Sequence, residues 1–578
     1  MSDYGTYGGS DEEYASIKKC NALLESDADN FENWEGLIKA CETFEGGLNR
    51  NSSPQALACF RDAYDRFLFK FPLLFGYWKK YADLEFNIAG PESAQMVYER
   101  GCASITHSVD LWTDYCSFTM ETTHDPRIVR ELFERGSSFV GLDFLAHPFW
   151  DKYIEYEERQ DAQDRVFAIH ARIIRIPMHQ YARYYERFRG LIHSQPLAAA
   201  IDQDTLSRFQ SEVAAEGGSA RPELEIERDI RAKIDTMYYE VFTLTQNEVT
   251  KRWTYESEIK RPYFHVTELE QSQLVNWRKY LDFEESEGDF QRIVCLYERC
   301  LVTCAFYDEF WFRYARWMTA QGNKDEDARN IYIRASTMFV PLSRPGIRMQ
   351  WAYFEESTGR VDVALDIHAS ILIQLPSCLE VIVSWANVQR RQNGVEAACQ
   401  VFKDQLDSPN LDLYTKGAVV GEWANLLRNS QGSAEEIRGI FTKNVQQYSD
   451  SRIFWDRWFN FELDQSGSDQ SKNMKHIFDE MRSKSSLSLA TKKELAQIYM
   501  SYLVQQGGKD AMKLFIQVDR EMFGPASVSF KASSNPKQNG SSAELDEASR
   551  LKAETRYLAF YEAQGEPAAD AQGQVDFN

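Results

Sequence analysis

The stretch Trp78-Lys79-Lys80-Tyr81-Ala82-Asp83-Leu84-Glu85 carries an aromatic residue, a second aromatic at +3, an apolar residue at +6 and a glutamate at +7. These offsets fall on one side of an α-helix. The same word returns as Trp112/Tyr115/Phe118, Trp150/Tyr153/Tyr156/Glu157, Trp277/Tyr280/Phe283/Glu284, Trp311/Tyr314/Trp317 and Trp455/Trp458/Phe461/Glu462. Weaker copies start at Trp34, Arg348, Ile382 and Val420. Twelve of the 13 Trp take position 0, +3 or +6, so the tryptophans serve the repeat; Trp253 stands outside it.

A second word follows at a nearly constant interval. Tyr98-Glu-Arg100, Phe133-Glu-Arg135, Tyr297-Glu-Arg299 and Tyr332-Ile-Arg334 begin 20 or 21 residues after their Trp. His170-Ala-Arg172 keeps the interval, and Phe402 and Phe441 keep it without the arginine. Two coupled words recurring about every 34–38 residues specify an all-α fold, an α-solenoid of helix-turn-helix repeats in two arcs. Pro177, Pro341 and Pro376 lie between one pair and the next, where helices must stop. One amphipathic pair is too small to bury its own stripe, so neighbours must stack. The expected packing anchors are Trp78, Tyr81, Glu85, Trp112, Tyr115, Trp150, Tyr153, Glu157, Trp277, Tyr280, Glu284, Trp311, Tyr314, Trp455, Trp458, Glu462, Arg100, Arg135, Arg299 and Arg334. The recurring Glu and Arg are expected to pair within or between repeats.

Composition excludes several function classes. The 578 residues carry 65 Lys+Arg against 88 Asp+Glu, and a formal charge of −23 argues against a broad nucleic-acid-binding face. No apolar run approaches the ~18 residues of a membrane span, and the start lacks a secretory pattern; a soluble intracellular protein is expected. The ten Cys form no C-x-x-C pair, and Cys295, Cys300 and Cys304 have no neighbouring His, so reduced core thiols are expected. Phosphate-loop, dinucleotide, zinc-protease and nucleophile-elbow motifs are absent; Gly507-Gly-Lys509 reads as an interhelical turn. No enzyme activity, cofactor, metal or small-molecule substrate is expected. His170 and His368 replace the second-word aromatic and read as core residues.

The two words resemble the half-a-tetratricopeptide (HAT) repeat, whose members act in RNA-processing complexes. Glu258-Ile-Lys-Arg-Pro-Tyr-Phe-His-Val266 followed by Gln273-Leu-Val-Asn-Trp-Arg-Lys-Tyr-Leu-Asp-Phe-Glu284 is similar to the start of the C-terminal repeat block in the U1 small nuclear ribonucleoprotein (snRNP) branch of that family. The resemblance implies a non-catalytic nuclear scaffold that supports 5′ splice-site recognition and early spliceosome assembly. It also implies a dimer through the C-terminal block, with itself or with a paralogous HAT-repeat chain, and other U1 snRNP proteins as partners. RNA is then met mainly indirectly. A branch serving mRNA 3′-end cleavage and polyadenylation shares the two-block architecture and is the alternative.

The expected organisation is a disordered acidic N-terminus (1–15), an N-terminal repeat block (16–190), an insertion with a long connector helix (191–262) and a C-terminal block (263–523). A flexible linker (524–542), an amphipathic helix (543–563) and a disordered tail (564–578) follow. Within the connector, Ala214–Pro222 reads as a loop and Glu223 to about Ile259 as one long polar helix that completes a fifth unit opened by Tyr181/Tyr184/Phe188. Leu551, Tyr557, Leu558, Phe560 and Tyr561 are the expected dimer contacts, because a detached helix with exposed aromatics needs a groove. Lys251, Arg252, Lys260 and Arg261 form basic islands that could touch RNA or an acidic partner, against the simpler reading of a solvated helix face.

Overall fold

The computed structural model describes residues 11–217 and 222–524, and among them every regular element is helical. The chain packs as two compact units, Met1–Pro376 and Ser377–Asn578. The first takes in the whole N-terminal block, the connector and the first three pairs after it.

Each pair is built by local chemistry. Pro54, Pro91 and Pro126 open second helices at a position with no intrahelical N–H partner to lose. Side chains of Ser53, Asp125, Asp289, Ser433 and Ser451 accept backbone N–H bonds at helix starts. Phe75–Ala89 is joined to Pro91–Ser104 by Gly90 alone, and Leu379–Asn393 to Val395–Asp407 by Gly394 alone. Their φ values of +98° and +91° lie where a side chain would be strained, so glycine permits these one-residue turns.

The first helix, Asp11–Ser26, begins inside the stretch expected to be disordered. That boundary is corrected. Ile17 and Leu24 bury against the next helix, Phe31–Glu42, and acidic residues at a helix N-terminus complement its dipole.

The long helix spans Glu223–Glu256. Its middle lies on Tyr181–Ser194, with Tyr185 and Phe242 stacked at 4.5 Å and Phe188 edge-on to Tyr238 at 4.8 Å. A further helix, Gln203–Gly217, adds Leu206, Phe209 and Val213 to this satellite core, so helix reaches into the expected loop. The last turn of the long helix belongs to the following pair, where Tyr255 stacks on Tyr280 at 5.0 Å. Within the same unit Asp143 stands 3.6 Å from Arg299, which joins the turns of the first block to the second helices of the next pairs.

Candidate interaction scaffold

Three devices recur among the strong repeats, though not all three in every one: the Trp277 indole N–H has no partner among the described residues, and Thr119 and Met318 stand where the Trp112 and Trp311 words would carry the glutamate. The position-0 indole N–H donates to a carbonyl six residues upstream: Trp78 to Pro72 at 2.8 Å, Trp112 to Thr106 at 2.8 Å, Trp311 to Ala305 at 2.7 Å and Trp455 to Ser449 at 2.7 Å. Trp150 reaches Gly141 at 3.1 Å. The indole thereby sets the angle at which the chain enters its helix. Arg348 replaces it in one pair, where its buried guanidinium donates to the carbonyls of Ser336, Val340 and Pro341. Burial with no carboxylate pushes the Arg348 pKa below its usual range.

The second-word arginine lies over the Trp of its own pair: Arg100 on Trp78 at 5.6 Å, Arg135 on Trp112 at 5.2 Å, Arg172 on Trp150 at 5.0 Å, Arg299 on Trp277 at 5.9 Å and Arg334 on Trp311 at 5.4 Å. Its charge is met by the acid at the middle of the preceding second word. Arg100 meets Asp65, Arg135 meets Glu99, Arg172 meets Glu134, Arg299 meets Glu256 and Arg334 meets Glu298, all within 2.5–3.0 Å. Tyr115, Tyr153 and Tyr280 donate their hydroxyls to the same carboxylates. One acid therefore binds two elements of the next pair, which fixes repeat-to-repeat register.

The first-word glutamate uses a different arginine, three residues before the second-word aromatic. Arg61 holds Glu85, Arg130 holds Glu157, Arg252 holds Glu284, Arg329 holds Glu355 and Arg438 holds Glu462, each through two N–H···O bonds of 2.6–3.1 Å. Bidentate geometry makes these the strongest polar contacts of the array. The sequence reading missed this pairing, although the pattern Arg-x-x-Tyr/Phe was there to find. It also marks Arg252-x-x-Tyr255-Glu256 as a second word inside the long helix.

Glu298 is buried, which by itself raises its pKa. Arg334 donates through both terminal nitrogens at 2.8 Å and overcomes that, holding the carboxyl down at about 2. Folded-state depression means stability that is present above the unfolded pKa of about 4.3 and is lost as pH falls toward 2. Acid titration of unfolding should show a steeper loss between about pH 4.5 and 2 for the native chain than for Glu298→Gln. The difference should be up to about 1.4 kcal/mol per pH unit. Equal slopes would remove Glu298 from this role.

The basic islands fall out differently. Arg252 is 2% exposed and bridges Glu284 and Glu248, so the expectation of an RNA or partner contact there is corrected. The first-word register of Trp277 puts Glu284 opposite it, and the pair is buried together. Lys251 is exposed and pairs with Glu248 and Glu287, Lys260 pairs with Glu270, and Arg261 binds the Thr267 hydroxyl and carbonyl. Trp253 is half exposed and stacks on His179 at 6.4 Å. His170 and His368 are buried, each Nδ1 against a carbonyl of its own helix. Leu551, Tyr557, Leu558, Phe560 and Tyr561 lie outside the described residues. Among the described residues no three His, Cys, Asp or Glu side chains are grouped to hold a metal, and no helix is long and apolar enough to cross a membrane.

Stacked pairs whose repeat-word aromatics and bidentate charges are spent on packing define a HAT-type α-solenoid. The descriptions "PRP39 N-terminal HAT repeat" and "PRP39 C-terminal HAT repeat" match residues 18–190 and 250–391. Pre-mRNA-processing factor 39 of Schizosaccharomyces pombe is 48% identical over 88% of this chain and 87% of its own length. U1 small nuclear ribonucleoprotein component PRP42 of Saccharomyces cerevisiae is 24% identical over 52% of this chain and 56% of its own. The crystal structure of CSTF-77 shares the fold, with a TM-score of 0.52 at 14% identity over 81% of this chain and 92% of that one. The chain belongs to the pre-mRNA-processing factor 39 family of HAT-repeat proteins.

Proposed function

We propose that this chain is a nuclear, non-catalytic scaffold subunit of the U1 snRNP that supports 5′ splice-site recognition, working as a dimer with itself or with a paralogous HAT-repeat chain. The observation that carries the reading is 48% identity to pre-mRNA-processing factor 39 along 88% of the chain. The name of PRP42 as a U1 component, on a chain built from related sequence, supports the particle assignment. The site chemistry agrees, since the repeated side chains are spent on holding a stacked array and the acidic surface favours contact with RNA through other proteins. Affinity purification of the tagged chain with RNA sequencing is expected to recover U1 RNA and U1 proteins. Recovery of cleavage and polyadenylation factors in their place would overturn it.

The C-terminal segment with Leu551, Tyr557, Leu558, Phe560 and Tyr561 is proposed to dock on the partner protomer. Light scattering should give the full chain about twice its 67.0 kDa, and deletion of residues 543–578 should return a monomer. A truncated chain that remains dimeric would refute the tail's part.

A further inference from the structure

In the first two pairs of the second unit the repeat words lapse, and a cavity opens where they do. The +7 glutamate is replaced by Gln389 and Leu427, and the second-word arginine by Asp404 and Lys443. In several other pairs the second-word ring stacks on the +3 aromatic of the next pair, as in Tyr98–Tyr115 at 5.2 Å, Tyr297–Tyr314 at 4.5 Å and Phe441–Trp458 at 5.4 Å, while Tyr332 meets Phe354 at +6. Phe402 is not stacked in this way: Trp423, at +3 of the next first word, lies beside the Lys403 ammonium at 5.7 Å. Between the helices Leu379–Asn393 and Leu413–Asn429 this leaves a cavity of about 240 Å³. Val383 and Leu426 line it with Phe402, and Asn387, Asn425, Asn429 and Arg390 supply its polar rim.

The asparagines are in register. Asn387, Asn425 and Asn460 all stand at +5 of successive first words, whereas the earlier strong copies carry Asp83, Ser117, Glu155, Asp282 and Arg316 there. An amide side chain offers two donors and two acceptor lone pairs. Each of these spends one N–H within its own helix: Asn387 on the Val383 carbonyl at 3.0 Å, Asn425 weakly on Glu422 at 3.5 Å and Asn460 on Asp456 at 3.1 Å. Arg390 and Arg428 occupy one lone pair of Asn387 and Asn425 at 3.3 and 2.9 Å. A donor and a lone pair remain on each, the complement of one peptide unit. Packed helices stand about 8–10 Å apart, which is close to three residues of extended chain at about 3.3 Å each.

We propose that this asparagine row is a docking groove for an extended peptide, with Asn387, Asn425 and Asn460 reading its backbone and the cavity taking one side chain with an apolar body and a polar tip, tyrosine being the best fit. A cavity of about 240 Å³ lies below the range of about 300–1,000 Å³ for small-molecule sites and suits one side chain. Tyrosine would rest its ring on Val383 and Leu426 and its hydroxyl among the rim amides. Arg390 favours an acidic neighbour in the peptide. Nucleic acid is the poorer fit, because Glu422 lines the cavity and a phosphate chain needs several cations.

This rests on the scaffold reading and locates its docking, but it is read out on the isolated full-length chain, so failure here and failure to recover U1 RNA are separate results. The probe is a displayed library of random twelve-residue peptides, with a uridine decamer as the competing ligand. Selection should enrich peptides with a tyrosine next to an acidic residue. Their affinity should fall about tenfold or more in the N387A/N425A double variant and less in Asn460→Ala, with melting temperatures unchanged. Should the double variant melt lower, Asn429→Ala, at an exposed rim position, must still weaken binding. Failure to enrich any peptide, equal affinity for the variants, or displacement by the uridine decamer would overturn the proposal.

Discussion

Replacing Trp311 by alanine is expected to cost about 3–5 kcal/mol, the usual toll for emptying a fully buried tryptophan site. Trp311 has 0% exposure, and three contacts depend on it at once. Its N–H satisfies the Ala305 carbonyl at 2.7 Å, its face stacks on Phe339 at 5.3 Å, and Arg334 lies over the ring at 5.4 Å. The Trp311→Phe variant keeps most of the apolar contact and strands the Ala305 carbonyl, so it should lose only about 1–3 kcal/mol. Repeat arrays transmit damage mainly to nearest neighbours. Hydrogen exchange should therefore speed up in Gln271–Glu287 through Gly346–Ser357, while Arg452–Leu463 in the second unit keeps its protection. A loss below about 1 kcal/mol, or uniform loss of protection along the chain, would mean that the Trp register does not hold the repeats together.

The fold was legible because its main signal is a period. Trp78, Trp112, Trp150, Trp277, Trp311 and Trp455 begin words whose position-0 and +3 side chains bury in the structure, and every helix pair they announce is present. Even the weak copy at Arg348 is a true position 0, since its guanidinium reaches upstream carbonyls as an indole N–H does. The charge partners were harder. Sequence showed that Glu and Arg recur, but Arg100 and Glu85 sit in adjacent helices of one pair and do not meet. The distance that matters crosses a helix interface, and only packing sets which turn faces which. Arg252 failed for the same reason. Read along the chain it belongs to a basic doublet with Lys251, but successive residues on a helix point about 100° apart, so one faces solvent and the other the core. The asparagine row hid in plain view, because no single Asn is unusual until the first words are laid in register.

Arg252 also supplies the sharpest energetic test. Its Nε and one terminal nitrogen bind Glu284 at 2.6 and 3.0 Å, and the remaining nitrogen binds Glu248; Arg252 and Glu284 are each 2% exposed. Glu284→Ala is expected to destabilise the chain by about 3–5 kcal/mol, because it leaves a guanidinium in the core without its main counter-ion. Arg292, 3.6 Å from the same carboxylate, loses a partner too. The cost should arise from the stranded charge and hardly at all from a net gain of the bridge, since desolvating both ions offsets most of their attraction. Combining Arg252→Met with Glu284→Leu should therefore recover most of the loss, and urea unfolding of the four-member cycle would measure the coupling. A double variant as unstable as Glu284→Ala alone would show that the bridge is itself stabilising. The same proteins separate structure from RNA contact: if Arg252 touched RNA, Arg252→Met/Glu284→Leu would fold well and lose RNA. With the side chain buried at the last turn of the long helix, RNA recovery should follow stability and nothing else.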